Sequence, residues 1–327
     1  NTGCTMPLQK IIFPPGVFRD QTRFASDGHW FDCDKIRFRS GLPQKIGGWE
    51  RYSNDTTDGQ IRFLLNFISL DDNNYLAIGS SQRFYIEEGG TFNNITPLRK
   101  TSSLGADPIT TASSGGEITV ADTAHGAVLN DFVTLAGATA TSGITAAQIN
   151  ITHQITEIVS DNAYKVETAG SSSGAASGGG GSVTAAYEIN VGLDTAVQGT
   201  GFGAGTYSRG TYGSAATIAA GAVDQLRLWY GDNFGEDLVF NVRNGGVYYW
   251  DASVGTGTRA DALPDESGAS DAPTVATQVM VSNNDRHVLA FGCNDRGSST
   301  QDKLLIRWSD QENAVDWTPT TANTAGD

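Results

Sequence analysis

The sequence is poor in the residues that most chemical sites require. Its 327 residues include three cysteines, four histidines and two methionines. Cys4, Cys33 and Cys293 are odd in number and lack C-x-x-C spacing, which argues against a disulfide framework or a zinc site. We therefore expect buried free thiols, assembly in a reducing cytoplasm, and neither a metal nor a cofactor.

Long apolar runs and an excess of basic residues are also missing. No stretch approaches the roughly 20 apolar residues of a membrane helix, and the first residues lack the apolar core of a signal peptide. Only 21 Lys and Arg stand against 36 Asp and Glu, which gives a net charge of −15. A polyanion is a poor wrapper of nucleic acid, because binding to phosphates needs clustered cations. An acidic wall is still compatible with DNA that passes by, because repulsion keeps a channel from holding what it conducts.

Helical periodicity is nearly absent, whereas strand signals recur as a unit. Each unit reads strand, polar turn, buried strand, Gly or Asn turn, and aromatic strand, and the 40 glycines suit such turns. The three copies span residues 61–90, 225–251 and 277–319. Repeats of three or four strands are typical of propeller blades. We predict an all-β fold with β-propeller-like blades, incomplete in this chain; a β-sandwich with similar hairpins is the alternative.

The middle of the chain has a different composition. Between residues 104 and 190 aromatic residues are sparse, and Lys165 is the one Lys or Arg. Alternating strands remain visible, which predicts a small antiparallel β-barrel or sandwich inserted after the first blade. The Gly/Ser run at 170–182 predicts a flexible loop within it. The run at 199–213, with interleaved aromatic residues, predicts an ordered loop that leads back to the blades.

These patterns divide the chain into three parts. We expect an N-terminal segment and first blade at 1–103, the inserted β domain at 104–190, and further blades at 191–327. A blade cannot bury both of its faces alone, so we expect the blades to continue beyond Asp327 or to close with partners. Met6 resembles a natural start, and the chain is expected to be a fragment of a longer protein.

The sequence contains partial matches to catalytic motifs, but the surrounding residues do not provide the structure that those motifs require. G-S-S-S-G at 170–174 matches a nucleophile elbow by letter but lies in low-complexity sequence, without the required strand and helix. The histidines have no metal-ligand spacing; His125 is expected to order a turn, and His287 to precede a strand. Trp308–Trp317 is loosely similar to the aspartate-box turns of sialidases. Most carboxylates lie in predicted turns, so we expect no enzyme, and a propeller glycosidase is kept as an alternative.

One basic cluster remains as a candidate site. The stretch predicts a strand that runs into a Gly-Leu-Pro turn at residues 41–43. On this strand, Lys35, Arg37 and Arg39 would share one face, with Ile36 and Phe38 on the other. One interpretation is a solvated face with salt bridges to Asp32, Asp34 and Glu50. The other is a surface that docks a neighbouring subunit, where Arg and aromatic residues concentrate. The candidate docking residues are Lys35, Arg37, Arg39, Lys45, Trp49 and Arg51.

The order of several segments resembles a known family. D-K-I-R-F-R-S-G-L-P-Q-K-I-G-G-W-E-R-Y at 34–52 follows I-I-F-P-P-G-V-F-R-D and precedes N-N-Y-L-A-I-G-S-S-Q-R-F-Y-I-E-E-G-G. Near the end, D-R-H-V-L-A-F-G is followed by I-R-W-S-D-Q-E-N-A-V-D-W-T-P. This succession is similar to the tail-hub proteins of short-tailed bacteriophages, also called packaged-DNA stabilisation, tail-nozzle or tail-needle-adaptor proteins.

The resemblance implies a non-enzymatic virion protein. Its members are propeller-bearing subunits that form a ring, here expected as a hexamer, below the portal and head-to-tail adaptor proteins. The ring extends the DNA channel and carries the tail needle or tip protein, so phage DNA passes through it during ejection. The expected location is the phage tail, after assembly in the cytoplasm of the bacterial host. A receptor- or glycan-binding tail protein, with the inserted module as the binder, is the first alternative.

Overall fold

The computed structural model describes residues 14–48, 50–69, 72–192 and 226–327. The chain divides into two compact units, Asn1–Tyr52 and Ser53–Asp327. Within the described residues no helix is long and apolar enough to span a bilayer. The predicted ordered loop at 199–213 lies outside the described residues.

The first unit contains a two-stranded hairpin of β1 (Ile36–Arg39) and β2 (Leu42–Lys45). Ser40 and Gly41 join the strands, and both have positive φ angles (51° and 78°), the combination that a tight hairpin turn requires. The sequence predicted a Gly-Leu-Pro turn instead. That placement was wrong because Pro43 lies within β2, a position a two-stranded ribbon tolerates when the missing N–H faces solvent.

The second unit begins with an antiparallel meander, here called the first sheet. Its strands run in the order β3-β4-β5-β6, and Gly89–Gly90 turns tightly between the last two with positive φ at both residues. The bounds are β3 (Ile61–Ile68), β4 (Asn74–Ser80), β5 (Phe84–Glu88) and β6 (Thr91–Asn94). This is the first of the repeated units that the sequence predicts.

An eight-stranded curled sheet follows, with the order β13-β8-β9-β12-β11-β10-β14-β7. Its elements are β7 (Leu98–Ser103), β8 (Ile109–Thr111), β9 (Gly115–Ala121), β10 (Phe132–Ala136), α1 (Ala146–Ile149), β11 (Thr152–Ser160), β12 (Ala163–Ser172), β13 (Ala176–Gly178) and β14 (Thr184–Glu188). We call it the inserted sheet. β7 pairs with β14, so the sheet starts within the range assigned by sequence to the N-terminal part; the domain limits themselves stay a prediction.

The Gly/Ser run at 170–182 is not the flexible loop that its composition predicts. β12 extends to Ser172, and β13 pairs with β8 across the same run. Hydroxyl groups add to this pairing: Thr111 Oγ1 donates to the carbonyl oxygen of Gly174 over 2.9 Å, and Ser172 Oγ donates to Ala112 over 2.7 Å. Backbone pairing therefore orders a segment whose side chains alone would leave it disordered.

Two further sheets complete the second unit. The second sheet contains β15 (Trp229–Phe234), β16 (Asp237–Val242), β17 (Val247–Trp250) and β18 (Asp261–Ala262); the third contains β19 (Gln278–Val281), β20 (Val288–Phe291) and β21 (Ile306–Trp308). Single turns of 3-10 helix lie at Ala252–Val254 and Leu263–Asp265. Each sheet is an antiparallel meander of consecutive strands.

The three meander sheets stack face to face. Residues of β16 alternate between two cores: Leu238 and Phe240 face the first sheet, and Val239 faces the third, as the two-residue period of a strand dictates. The first strands adjoin, with β3 beside β15 and β15 beside β19. This stacking confirms the predicted all-β, propeller-like fold. A third core, separate from these two, lies under the inserted sheet.

Candidate assembly site

The hairpin of the first unit carries most of the predicted docking residues. Cross-strand pairing of Arg37 with Gln44 and Arg39 with Leu42 places the two arginines on one face. Lys45 pairs with Ile36 and lies on the opposite face. Lys35 precedes β1 in a left-handed conformation (φ 56°), so it is not part of the alternating strand. The structure thus brings Arg37 and Arg39 together and separates them from Lys45.

The other predicted docking residues lie beyond the hairpin. Arg51 is exposed and follows β2 by several residues, whereas Trp49 lies outside the described residues. The predicted salt bridge to Asp32 is wrong, because Asp32 pairs with Arg19 at 2.7 Å. Arg37 Nε donates to Gln44 Oε1 over 3.2 Å. Among the described residues, no carboxylate lies within 4.0 Å of the charged group of Lys35, Arg37, Arg39 or Lys45.

A buried ion-pair network in the second unit was not predicted from sequence. Glu188, at the end of β14, is only 1% exposed. Arg83 donates to both of its oxygens, Nε to Oε2 over 2.8 Å and Nη2 to Oε1 over 3.1 Å. Arg259 Nη2 and Asn94 Nδ2 also donate to Oε1, over 2.8 and 3.0 Å. One carboxylate therefore joins the inserted sheet to the first sheet and to the loop before β18.

The environment of Arg83 keeps its guanidinium charged. Burial opposes the charge, but attraction and hydrogen bonding from Glu188 outweigh it, so the pKa of Arg83 is raised above its ordinary value. The same guanidinium lies 3.6 Å from the ring centroid of Phe132 on β10, a cation–π contact. Its Nη1 donates to Asp58 over 2.7 Å. Arg83 thus contacts the inserted sheet through both Glu188 and Phe132.

Asp58 extends the network to Tyr85, whose hydroxyl donates to Asp58 Oδ2 over 3.0 Å. Burial, as the largest cause, raises the pKa of Tyr85 to about 12 from 10.0. As the pH rises, the unfolded chain therefore loses this proton before the folded chain does. The stability that Tyr85 contributes is present below pH 10 and is lost as the pH approaches 12.

We expect Tyr85→Phe to show a shallower loss of stability over this pH window than the native chain. Urea midpoints measured at intervals from pH 8 to pH 12 test this, with each protein compared to its own value at the lowest pH. Burial also raises the pKa values of Tyr164 and Tyr249, so part of the slope should remain. An identical slope in both proteins would contradict the assignment.

The side chains of His125 and His287 form hydrogen bonds with backbone groups. His125 Nδ1 accepts from the amide of Ala127 over 3.0 Å, and Nε2 faces the carbonyl oxygen of Ser160 at 2.9 Å. This fixes the Nε2–H tautomer and confirms that His125 orders a turn. His287 precedes β20, as predicted, and its Nδ1 faces the carbonyl oxygen of Ser309 at 2.8 Å. Within the described ranges no group of three His, Cys, Asp or Glu is placed to bind a metal ion.

Acidic residues of the blades also have structural partners. In the segment that is loosely similar to an aspartate box, Asp310 Oδ1 accepts from the amide and hydroxyl of Thr324. These bonds lower the pKa of Asp310. Around Glu266, burial first and then nearby carboxylates raise the pKa of its carboxyl group. One of these neighbours, Asp237, accepts from Tyr249 and from the amide of Ala252.

The prediction of buried free thiols holds for Cys293 but not for Cys33. Cys293 is buried and Cys33 half-buried, and neither forms a disulfide. Burial raises the pKa of the Cys293 thiol, which keeps it protonated and unreactive near neutral pH. Cys4 lies outside the described residues.

One cleft of about 550 Å³ opens on the inserted sheet. Its polar lining includes Lys100, Ser102, Asp122, Thr123 and Asn162. Ser102 Oγ is buried and has no hydrogen-bond partner. Asp122 accepts from the buried Tyr187 hydroxyl over 2.6 Å, so its carboxylate is already engaged. The cleft offers hydroxyl, amide and ammonium groups, a lining suited to a polar ligand.

Comparisons with known proteins do not assign the chain to a family. No family model matches the sequence, and no curated protein matches it. Among solved structures, a phage phi92 endosialidase is similar over 82% of this chain and 38% of that protein, at 10% identity and a TM-score of 0.24. The chain thus spans well under half of that protein's length. A likeness this weak carries no argument about the fold or activity of this chain.

Proposed function

We propose that the chain is a non-enzymatic structural subunit of a tailed-phage virion, a tail hub or nozzle that extends and closes the DNA channel. The proposal starts from the resemblance of residues 34–52 and of the blade segments to tail-hub proteins. Its proposed partners are copies of itself, the portal and head-to-tail adaptor proteins, and the tail needle or tip protein. Phage DNA passes transiently, and the finished protein is located in the virion.

The observation that carries this proposal is the set of buried contacts that join the sheets of the second unit. Glu188 ties the inserted sheet to the first sheet, and two cores bind the meander sheets face to face. A subunit that bears load in a particle benefits from such joints, because buried pairs and packed aromatics resist separation. The net charge of −15 favours a wall that repels DNA over one that binds it.

The basic face of the hairpin supplies the test. Arg37→Glu with Arg39→Glu reverses two charges that lie on one exposed face. We expect the double variant to keep the melting temperature of the native chain and to lose binding to the portal or adaptor protein of the same genome by about tenfold or more, as charge reversal at a docking surface does. Pull-down of the purified proteins and surface plasmon resonance give the measurement.

Lys45→Glu is the matched control, because it changes a hairpin charge on the opposite face. We expect it to bind nearly as well as the native chain. Equal binding by the double variant would remove the hairpin from the docking surface. Absence of binding by the native chain to portal, adaptor and needle proteins alike would count against the tail-hub role itself.

A receptor- or glycan-binding tail protein is the second candidate, and the cleft on the inserted sheet favours it. Filling the cleft by Ser102→Phe should then abolish binding of the chain to host cells or their surface glycans. A propeller glycosidase is the third candidate. It requires hydrolysis of a capsule glycan that one carboxylate substitution abolishes, and no hydrolysis would eliminate it.

A further inference from the structure

The cleft on the inserted sheet lies where two strands that are not neighbours end close together. Residues 102–104 come from the end of β7, residues 121–123 from the end of β9, and Asn162 from the turn between β11 and β12. In the sheet, four strands separate β9 from β7, so the curl of the sheet brings the two ends together. The volume of about 550 Å³ falls within the range of about 300–1,000 Å³ found for small-molecule sites.

Asp122 is the buried charged group of this cleft. It is only 8% exposed, and its Oδ2 accepts from the Tyr187 hydroxyl over 2.6 Å. The hydroxyl oxygen of Tyr164 lies 3.2 Å from that of Tyr187. Burial, as the largest cause, raises the pKa of Tyr187, so this hydroxyl keeps the proton that it donates. Among the described residues none donates to Asp122 Oδ1, which leaves this oxygen to accept from a ligand in the cleft.

Other groups of the lining are held by the backbone and keep part of their hydrogen-bonding capacity. Lys100 Nζ donates to the carbonyl oxygens of Thr123 and Ala124, over 3.4 and 3.0 Å, and an ammonium group has a third N–H. Asn162 Oδ1 accepts from the amide of Ala124 over 2.9 Å, which leaves Nδ2 as a donor. Ser102 Oγ has no partner among the described residues. The cleft therefore presents fixed donors beside one carboxylate acceptor.

This set of groups matches an uncharged ligand that is rich in hydroxyl groups. A hydroxyl donates one hydrogen bond and accepts up to two, so neighbouring hydroxyls of a sugar can donate to Asp122 Oδ1 and accept from Lys100. A phosphate or carboxylate would meet the charge of Asp122, with a single ammonium to oppose it. An apolar ligand would bury the carboxylate oxygen without a partner, which is costly.

We propose that the cleft binds an uncharged sugar, whose hydroxyls donate to Asp122 Oδ1, accept from Lys100 Nζ and bond to Ser102 Oγ. The inference rests on the second candidate function, glycan binding, and adds the class of sugar and the residue that anchors it; it does not require the tail-hub role. The described lining includes no aromatic ring on which a sugar could stack, so we expect a dissociation constant in the millimolar range. Several copies in one particle would strengthen binding to a cell surface through multivalency.

Saturation-transfer NMR of the whole chain with single sugars tests the proposal. The probes are glucose, galactose and N-acetylglucosamine, which carry no charge. N-acetylneuraminic acid and glycine are the comparison ligands, because one is an anion and the other a zwitterion. We expect saturable binding of at least one uncharged sugar, and weaker binding of both comparison ligands.

Two substitutions locate the binding in the cleft. Asp122→Asn should weaken binding of the sugar by about tenfold or more, because hydrogen bonds to a charged acceptor are the stronger ones. Asp161→Asn is the matched control, since Asp161 is exposed in the adjacent turn and is not part of the described lining; it should bind as the native chain does. Ser102→Ala removes a hydroxyl without a partner among the described residues, so it should keep the native melting temperature and weaken binding several-fold. This variant decides the matter if circular dichroism shows that Asp122→Asn does not fold.

Failure of the inference can be told apart from failure of the candidate function. Binding of the chain to host cells or their glycans that neither Asp122→Asn nor Ser102→Ala weakens would overturn the inference and leave glycan binding in place. Absence of binding to cells, to glycans and to all three sugars would overturn both. Tighter binding of N-acetylneuraminic acid or glycine than of any uncharged sugar would overturn the proposed class of ligand.

Discussion

Replacing Glu188 by Gln should destabilise the second unit by about 3–5 kcal/mol, the range found when one partner of a buried ion pair is removed. The substitution keeps the size of the side chain but leaves Arg83 and Arg259 without their shared carboxylate. Both guanidiniums lose a charged acceptor that water does not replace at a site only 1% exposed. Urea unfolding followed by tryptophan fluorescence measures the change.

Glu157→Gln is the control for that experiment. Glu157 also pairs with a cation, Lys165, at 2.8 Å, but its side chain is 56% exposed. Exposed pairs contribute little because solvent screens them, so we expect no measurable change in the urea midpoint. If the two variants behaved alike, Glu188 would not be the joint between the inserted sheet and the first sheet.

Phe84→Ala is expected to cost about 3–5 kcal/mol, as for other buried aromatic truncations. Phe84 is fully buried at the joint of the first and second sheets. Its ring stacks on Phe240 at 4.1 Å between centroids and meets Trp229 edge-on at 4.9 Å. Its removal leaves a cavity between two sheets, and the aromatic neighbours cannot all move to fill it.

The measurement for Phe84→Ala is the free energy of unfolding, with near-ultraviolet circular dichroism to follow the packing of Trp229. Phe24→Ala is the control, because Phe24 is 95% exposed and its loss should be nearly neutral. A change below about 1 kcal/mol for Phe84→Ala would be far outside the range for a closely packed core. It would show that the first and second sheets do not pack as described.

Strand periodicity explains why the architecture was predictable. In β16 the alternation of Leu238, Val239 and Phe240 assigns residues to two faces, and both faces are apolar because both are covered. The same reasoning identified the repeated units and predicted antiparallel strands between residues 104 and 190. It failed for β13, because Gly and Ser give no alternation, and the pairing with β8 comes from backbone groups alone.

The ion pairs that Glu188 forms could not be predicted from the sequence. Its partners Arg83 and Arg259 lie 105 and 71 residues away, and no local pattern links an acidic residue to distant arginines. Lys45 illustrates a second limit. Its face depends on where the hairpin turns, and a change of one residue in register moves a side chain to the other face. Because the turn is at Ser40–Gly41, Lys45 lies opposite Arg37 and Arg39.

The most direct test of the account is quantitative mass spectrometry of phage particles purified from a lysed host culture that carries this gene. A tail-hub or nozzle subunit should be present in several copies per particle, in fixed ratio to the portal protein, and should remain after high-salt washing and after nuclease treatment. Particles that package DNA and lack the chain, or that lose it on washing, would contradict the role proposed for it.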